Sequence, residues 1–126
     1  MNNYRSGLEE VVAKQLQVLK VPFQYETLKI FYNKPLKKSF YRPDFILPNG
    51  IIIEAKGLFP TADRKKHKLI REQHGSKYDI RFVFSNFNNR IGKKSKTTYA
   101  MWCKRFGFKF SNVDIPESWI NESKII

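Results

Sequence analysis

A chain of 126 residues can bury one core, or a small core completed by a partner. Its 24 lysines and arginines against 11 acids give a formal charge of +13, which points to a polyanion, either nucleic acid or an anionic membrane surface. No apolar run approaches the ~20 residues needed to span a bilayer. The first residues carry no signal-peptide core, and the single cysteine, Cys103, excludes an intramolecular disulfide and suits a reducing, cytoplasmic setting.

In chain order, Ser6 is placed to cap a helix, with Glu9 completing a capping box and Leu8, Val11, Val12, Leu16 and Leu19 on one face. A strand is expected over Tyr25 to Tyr32, before the basic segment Asn33 to Lys38, whose Pro35 cannot donate to a ladder. A hairpin follows, Ser39 to Leu47 and Ile51 to Lys56. Then come a helix from Thr61 to His74 ended by Gly75, and a strand from Ile80 to Ser85. The polar loop Asn86 to Lys96 leads to a helix from Thr97 to Phe106, with Gly107 after it, and Pro116 starts a short final helix. The expected fold class is α/β, with a mixed sheet flanked by helices. Cys103 falls in the apolar pattern of its helix and reads as a buried thiol. The phenylalanines at 82, 84, 106, 108 and 110 read mostly as core.

The hairpin carries the chemistry. Pro48, Asn49 and Gly50 suit a three-residue loop, with Gly50 in the left-handed position that closes it. That loop pairs Leu47 with Ile51, and counting back sets Asp44 opposite Glu54. Cross-strand partners share a face about 5 Å apart at Cβ, and Lys56 joins them because side chains alternate with period two. A two-residue Asn-Gly turn would instead set Asp44 opposite Ala55 and separate the carboxylates. Two acids and a lysine arranged around a turn, Arg42-Pro43-Asp44 and Glu54-Ala55-Lys56, resemble the phosphodiester-cutting site of the PD-(D/E)xK nucleases. Adjacent carboxylates repel unless a proton or cation lies between them, and Mg²⁺, with Mn²⁺ as a substitute, is the expected cation. Lys56 would orient or help deprotonate a water, or stabilise charge on the phosphorane, and a nearby metal would lower its pKa. The apolar run Ile51-Ile52-Ile53 leading into Glu54 places these charges in the interior, where they need partners.

The basic residues cluster. Arg64, Lys65, Lys66, Lys68 and Arg71 crowd the helix after the hairpin, and Arg90, Lys93, Lys94 and Lys96 crowd the later loop. With no interleaved acids in the runs, phosphate contact is the expectation for Arg64, Lys65, Lys66, Lys68, Arg71, Lys93 and Lys94. Arg5 and His67 are counted with them.

Arg5-Ser6-Gly7-Leu8-Glu9, Arg42-Pro43-Asp44-Phe45, Leu47-Pro48-Asn49-Gly50 and Glu54-Ala55-Lys56-Gly57 resemble the phage endonuclease I family of Holliday-junction resolvases. So do Asp63-Arg64-Lys65-Lys66-His67, Ile70-Arg71-Glu72-Gln73-His74 and Ile115-Pro116-Glu117-Ser118-Trp119-Ile120. The resemblance implies one restriction-endonuclease-like nuclease domain over residues 1–126, assembled as a domain-swapped homodimer. Residues 1–32 would form the exchanged helix and strand, 33–39 the bridge and 40–126 the catalytic core. It implies two metals per active site, with Asp44 bridging them, Glu54 and the Ala55 carbonyl completing one shell, and Glu9 of the other chain ligating the second. Glu9, Asp44, Glu54 and Lys56 are then the catalytic set, and the substrate is branched DNA, above all four-way junctions cut in pairs. Two readings compete with this one. One is a PD-(D/E)xK nuclease for mismatched, branched or duplex DNA. The other is a non-catalytic basic module that binds branched nucleic acid and uses the acids for structure.

Overall fold

The structure, a computed structural model, describes residues 4–34, 37–75 and 77–123. Helix α1 (Gly7–Val18) is followed by β1 (Gln24–Tyr25), β2 (Ile30–Lys34), β3 (Lys37–Tyr41), β4 (Phe45–Ile46) and β5 (Ile52–Lys56). Helix α2 (Thr61–His74), β6 (Ile80–Phe84), α3 (Tyr99–Phe106), β7 (Phe110–Asn112) and α4 (Glu117–Ile120) complete the chain. Five strands form a mixed sheet in the order β1-β4-β5-β6-β7. β1, β4 and β5 pair antiparallel, β5, β6 and β7 parallel, and β2 and β3 make a separate ribbon. The expected mixed α/β architecture is present.

Two apolar layers sandwich the sheet. Val12, Ala13 and Leu16 of α1 pack with Phe45, Ile53, Val83 and Trp119 on one side. On the other, Ile52, Phe82 and Phe84 pack with Phe59, Ile70, Trp102, Cys103 and Phe108. Alternate residues of β5 thus enter opposite cores, which is why its sequence is an unbroken apolar run. Cys103 is the buried thiol expected, pushed up to about 12 by burial.

The helix ends follow their sequence signals. Ser6 Oγ accepts the Glu9 amide at 3.1 Å, Thr98 Oγ1 accepts the Met101 amide at 3.1 Å, and Gly107 takes the left-handed conformation at φ 77° that ends α3. The turn at Gly50 (φ 90°) also forms as expected. Its amide reaches the Leu47 carbonyl at 2.9 Å, and the Leu47 amide reaches the Ile51 carbonyl at 2.9 Å. Asn49 ties this loop to the C-terminal segment by donating to the carbonyls of Trp119 and Glu122.

The differences lie around the ribbon. The strand expected over Tyr25 to Tyr32 is broken, because the chain turns at Glu26, in the left-handed region at φ 52°, and resumes as β2. The expected strand from Ser39 to Leu47 is also two pieces. β3 pairs with β2, and β4 starts only after Pro43, which has no amide to give a ladder. Asn33, Lys34, Lys37, Lys38 and Ser39 of the expected bridge lie in this antiparallel ribbon, with Asn33 opposite Lys38 and Lys34 opposite Lys37, while residues 35 and 36 fall outside those described. Helix α3 starts at Tyr99 rather than Thr97, because Thr98 caps it. The strand β7 was not expected. It is three residues long, too short for its alternation to stand out.

Candidate active site

Paired rungs Phe45–Ile53 and Ile46–Ile52 continue to Asp44 opposite Glu54, the register that the Gly50 turn dictates. Both carboxylates are buried, with Asp44 8% and Glu54 4% exposed, as is Glu9 from the first turn of α1 at 6%. Together with Glu26 and Ala55 they line a cavity of about 420 Å³ that also carries Arg5, Arg42, Lys56 and Lys66.

Each buried acid has a defined set of donors. Tyr41 Oη donates to Glu54 Oε2 at 2.6 Å, the Asp44 amide donates to the same oxygen at 3.2 Å, and Lys56 Nζ lies 3.2 Å from Glu54 Oε1. Asp44 Oδ2 accepts the Ala55 amide at 2.9 Å. Glu9 Oε2 accepts from Ser6 Oγ at 3.3 Å and Oε1 from Tyr25 Oη at 2.5 Å. Ser6 is the cap of α1, and Glu9, bonded to its hydroxyl through both amide and carboxylate, also forms a wall of the cavity.

One oxygen each of Glu9, Glu26 and Asp44 lies within 4.8 Å of the others. Such crowding has an electrostatic signature. Burial first, then the charges of Glu54 and Glu9, push the Asp44 carboxyl up to about 8, against a smaller downward pull from the Ala55 amide and Lys56. Burial, then Glu54, likewise holds the Tyr41 phenol well above its ordinary range, so it remains a donor. With the carboxylates alone around it, Lys56 is shifted upward. Burial does pull its ammonium down, but Glu54 and Asp63, at 3.2 and 3.3 Å, outweigh it and hold the group above its usual range.

The structure thus brings Glu9, Asp44, Glu54 and Lys56 to one cavity and adds Glu26, Tyr25, Tyr41 and Asp63, which sequence reasoning missed. The signal was available in the charge distribution. Of only 11 acids in the chain, Glu9, Glu26, Asp44, Glu54 and Asp63 gather at this site.

The residues expected at phosphate are more dispersed. Arg5 pairs with Glu26 at 2.9 Å at the cavity mouth, and Lys66 lines the wall, its ammonium lowered by burial and by Lys56. Arg64 spends its guanidinium on the Phe59 carbonyl at 2.5 Å and on Thr61 at 2.9 Å. Lys65, Lys68, Arg71, Lys93 and Lys94 are exposed, though Lys68 and Arg71 lie over Phe106 and Phe108. His67 is corrected outright. It is fully buried against Tyr41, Phe59 and Phe82, neither ring nitrogen has a partner among the described residues, and burial depresses its pKa well below the ordinary value. It cannot reach a phosphate. Its spacing from Ile70 belongs to the apolar stripe of α2.

Two acids opposite each other across β4 and β5 and a lysine on the same strand thus share one cavity of a mixed sheet flanked by helices. The sequence profile of the Phage endonuclease I family matches residues 1–126, and the chain belongs to that family of endonucleases. It is 49% identical over 121 residues to Endonuclease I of Escherichia phage T7, covering 96% of this chain and 80% of that one. It is 48% identical over 121 residues to Endodeoxyribonuclease 1 of Enterobacteria phage T3, covering 96% and 79%. Among the described residues, no helix is long and apolar enough to cross a membrane.

Proposed function

We propose that this endonuclease hydrolyses phosphodiesters of branched DNA, four-way junctions above all, with Mg²⁺ held by Glu9, Asp44 and Glu54, and that it acts as a homodimer. The observation that carries the reading is the convergence of buried carboxylates on one cavity in a chain of net charge +13. An acidic pocket would repel a phosphate unless a cation lay between them. The donors are all hard oxygens, within 4.8 Å of one another for Glu9, Glu26 and Asp44, and burial together with the charges of Glu54 and Glu9 raises the Asp44 carboxyl, which supports a place for Mg²⁺ or Mn²⁺. When bound, the ions would supply Lewis-acid stabilisation and an activated water.

The chain's own groups do the rest. The Ala55 amide and the Tyr41 hydroxyl fix Asp44 and Glu54, and the Ala55 carbonyl would serve as a further neutral ligand. Lys56, 3.2 Å from Glu54 and 3.3 Å from Asp63, is placed to orient the attacking water or to donate to the developing negative charge on phosphorus. Arg5, Arg42 and Lys66 at the cavity receive the flanking phosphates.

Dimer formation by exchange of residues 1–32 is supported by the ribbon. Only Pro35 and Leu36 separate the paired Lys34 and Lys37. Two-residue hairpin turns require positive φ, which proline cannot adopt. A proline at the first position of so short a connection disfavours such a turn by its sequence alone, and short connections of this kind favour exchange between two chains. In that assembly Glu9 of one chain completes the cavity of the other, and the two-fold axis sets two sites for two strands.

The test is incubation with an immobile four-way junction and a matched duplex, with Mg²⁺ and with chelator, beside Lys56→Ala. Paired cuts near the branch that need metal and are lost in the variant, while junction binding persists, are the expected result. Tight binding without cutting in any metal would leave a non-catalytic binder, and equal cutting of plain duplex a general nuclease. Mixing Glu9→Ala with Lys56→Ala tests the exchange, since only a composite dimer regains cutting on one strand.

A further inference from the structure

The outer face of the β2–β3 ribbon has no role in the chemistry above. Phe31 and Phe40 are cross-strand partners whose rings lie 6.0 Å apart, and each is half exposed, at 52% and 50%. Large aromatics on an exposed strand face are costly to leave in water, and alternate ribbon residues Ile30, Tyr32 and Tyr41 are already buried beneath. Cations surround the two rings. Lys38 Nζ sits 5.3 Å from the Phe31 centroid, and Lys29 Nζ and the Arg42 guanidinium sit 5.0 and 5.8 Å from that of Phe40. From Thr27 to Pro43 the sequence holds no acid. The platform is continuous with the active site, because Phe40 and Arg42 line the same cavity as Asp44 and Glu54.

We propose that Phe31 and Phe40 form a base-stacking platform for unpaired nucleotides beside the scissile phosphate. Aromatic side chains interleaved with cations on a strand surface are how single-stranded nucleic acid is held without regard to sequence. An incoming base stacks more strongly than an exposed ammonium holds to a ring, so it displaces Lys29 or Lys38 from the ring face toward its own phosphate. Pairing of the ribbon edges between two chains would leave this outer face free, and a polyanion complements its acid-free basic surface better than a second such face does. The platform deepens the branched-DNA reading and rests on it for the substrate. It makes unpaired nucleotides near the branch a specificity determinant.

The experiment compares the whole protein with Phe31→Ala/Phe40→Ala in chelator. Each is titrated against a labelled blunt duplex and against the same duplex bearing an unpaired thymidine arm. The expected result is a loss of affinity of about tenfold per ring for the armed DNA, no comparable loss for the duplex, and an unchanged salt slope, because phosphate contacts remain. Equal weakening on both DNAs, or on neither, would overturn the proposal. So would a change in mass by light scattering without a selective loss for the arm, which would make the face a contact between copies. Phe40→Trp gives an independent reading, since its emission is quenched by the thymidine arm and not by the duplex if the base stacks there. No emission change with either DNA counts against stacking. Because binding is read in chelator, failure to cut any DNA in Mg²⁺ would sink the proposed function and leave the stacking result standing.

Discussion

Replacing Tyr41 with phenylalanine removes one buried oxygen and leaves the ring, so it isolates the contact that holds Glu54. The ring would still meet His67 edge-on at 4.9 Å and still lie beneath Lys66 at 5.3 Å. What is lost is the 2.6 Å hydrogen bond to Glu54 Oε2, leaving that oxygen with the Asp44 amide alone at 3.2 Å. A hydrogen bond to a charged group contributes about 1.5–3 kcal/mol, and a lower melting temperature is expected in chelator. The larger effect falls on metal. Groups that orient a ligating carboxylate typically set affinity by about 10–100-fold, so the half-saturating Mg²⁺ for junction cutting should rise by at least about tenfold. Turnover at saturating Mg²⁺ should fall less, and junction affinity in chelator should not change. Mn²⁺ binding followed by calorimetry separates metal capture from chemistry. A lower melting temperature with an unchanged Mn²⁺ affinity would show that Tyr41 is only a structural residue, and no change in either would show that its hydroxyl does not hold Glu54.

The pH dependence of stability has two opposing parts. A carboxyl at about 8 in the folded chain, against 3.8 unfolded, binds more protons folded, so metal-free protein should lose stability as pH rises through that window. Mg²⁺ should flatten the slope, and melting curves from pH 5 to 9 with and without chelator would show it. His67 acts the other way. Its depressed pKa means that the unfolded chain binds the proton first, so stability falls as pH drops below the ordinary value of 6.5. His67→Leu should remove that acid loss, leave DNA affinity unchanged and cost little at pH 7, because neither ring nitrogen has a partner among the described residues to lose. A loss of DNA affinity in His67→Leu at unchanged melting temperature would contradict its placement in the core.

Local turn and cap chemistry was readable because a few residues decide it. Pro48, Asn49 and Gly50 fixed the loop, the loop fixed the rung, and the rung put Asp44 opposite Glu54. Ser6 and Gly107 marked helix ends for the same reason, while the Thr98 cap falls within the expected span of its helix. The rest depended on contacts distant in sequence. Nothing near Glu26 announces a left-handed turn, since no glycine stands there. Its backbone is held by the Asp44 carbonyl at 3.0 Å and its side chain by Arg5. Tyr25 and Tyr41 read as strand aromatics, and only the assembled sheet reveals that their hydroxyls end on Glu9 and Glu54. His67 was misread because it stands inside a run of lysines and arginines, while its i,i+3 relation to Ile70 belongs to the buried stripe.

The division of charge leads to a last prediction. Basic residues lie mostly outside, while four of the 11 acids line one cavity and a fifth, Asp63, pairs with its Lys56. Without a cation, the cavity is held together by Lys56, Arg5, the tyrosine hydroxyls and the proton that Asp44 keeps to about pH 8. On the proposed reading, a divalent ion would take the place of that proton. A phosphate drawn in by the exterior adds negative charge beside the same carboxylates and makes the proton-for-metal exchange more favourable. Metal and DNA should therefore bind with positive coupling, and by linkage each should raise the affinity of the other by the same factor. In Lys56→Ala, which is expected to bind without cutting, a four-way junction should tighten Mn²⁺ binding by about fivefold or more, and Mn²⁺ should tighten junction binding equally. Independent affinities would mean that the phosphate does not approach these carboxylates, and the cavity would then not be where the strand is cut.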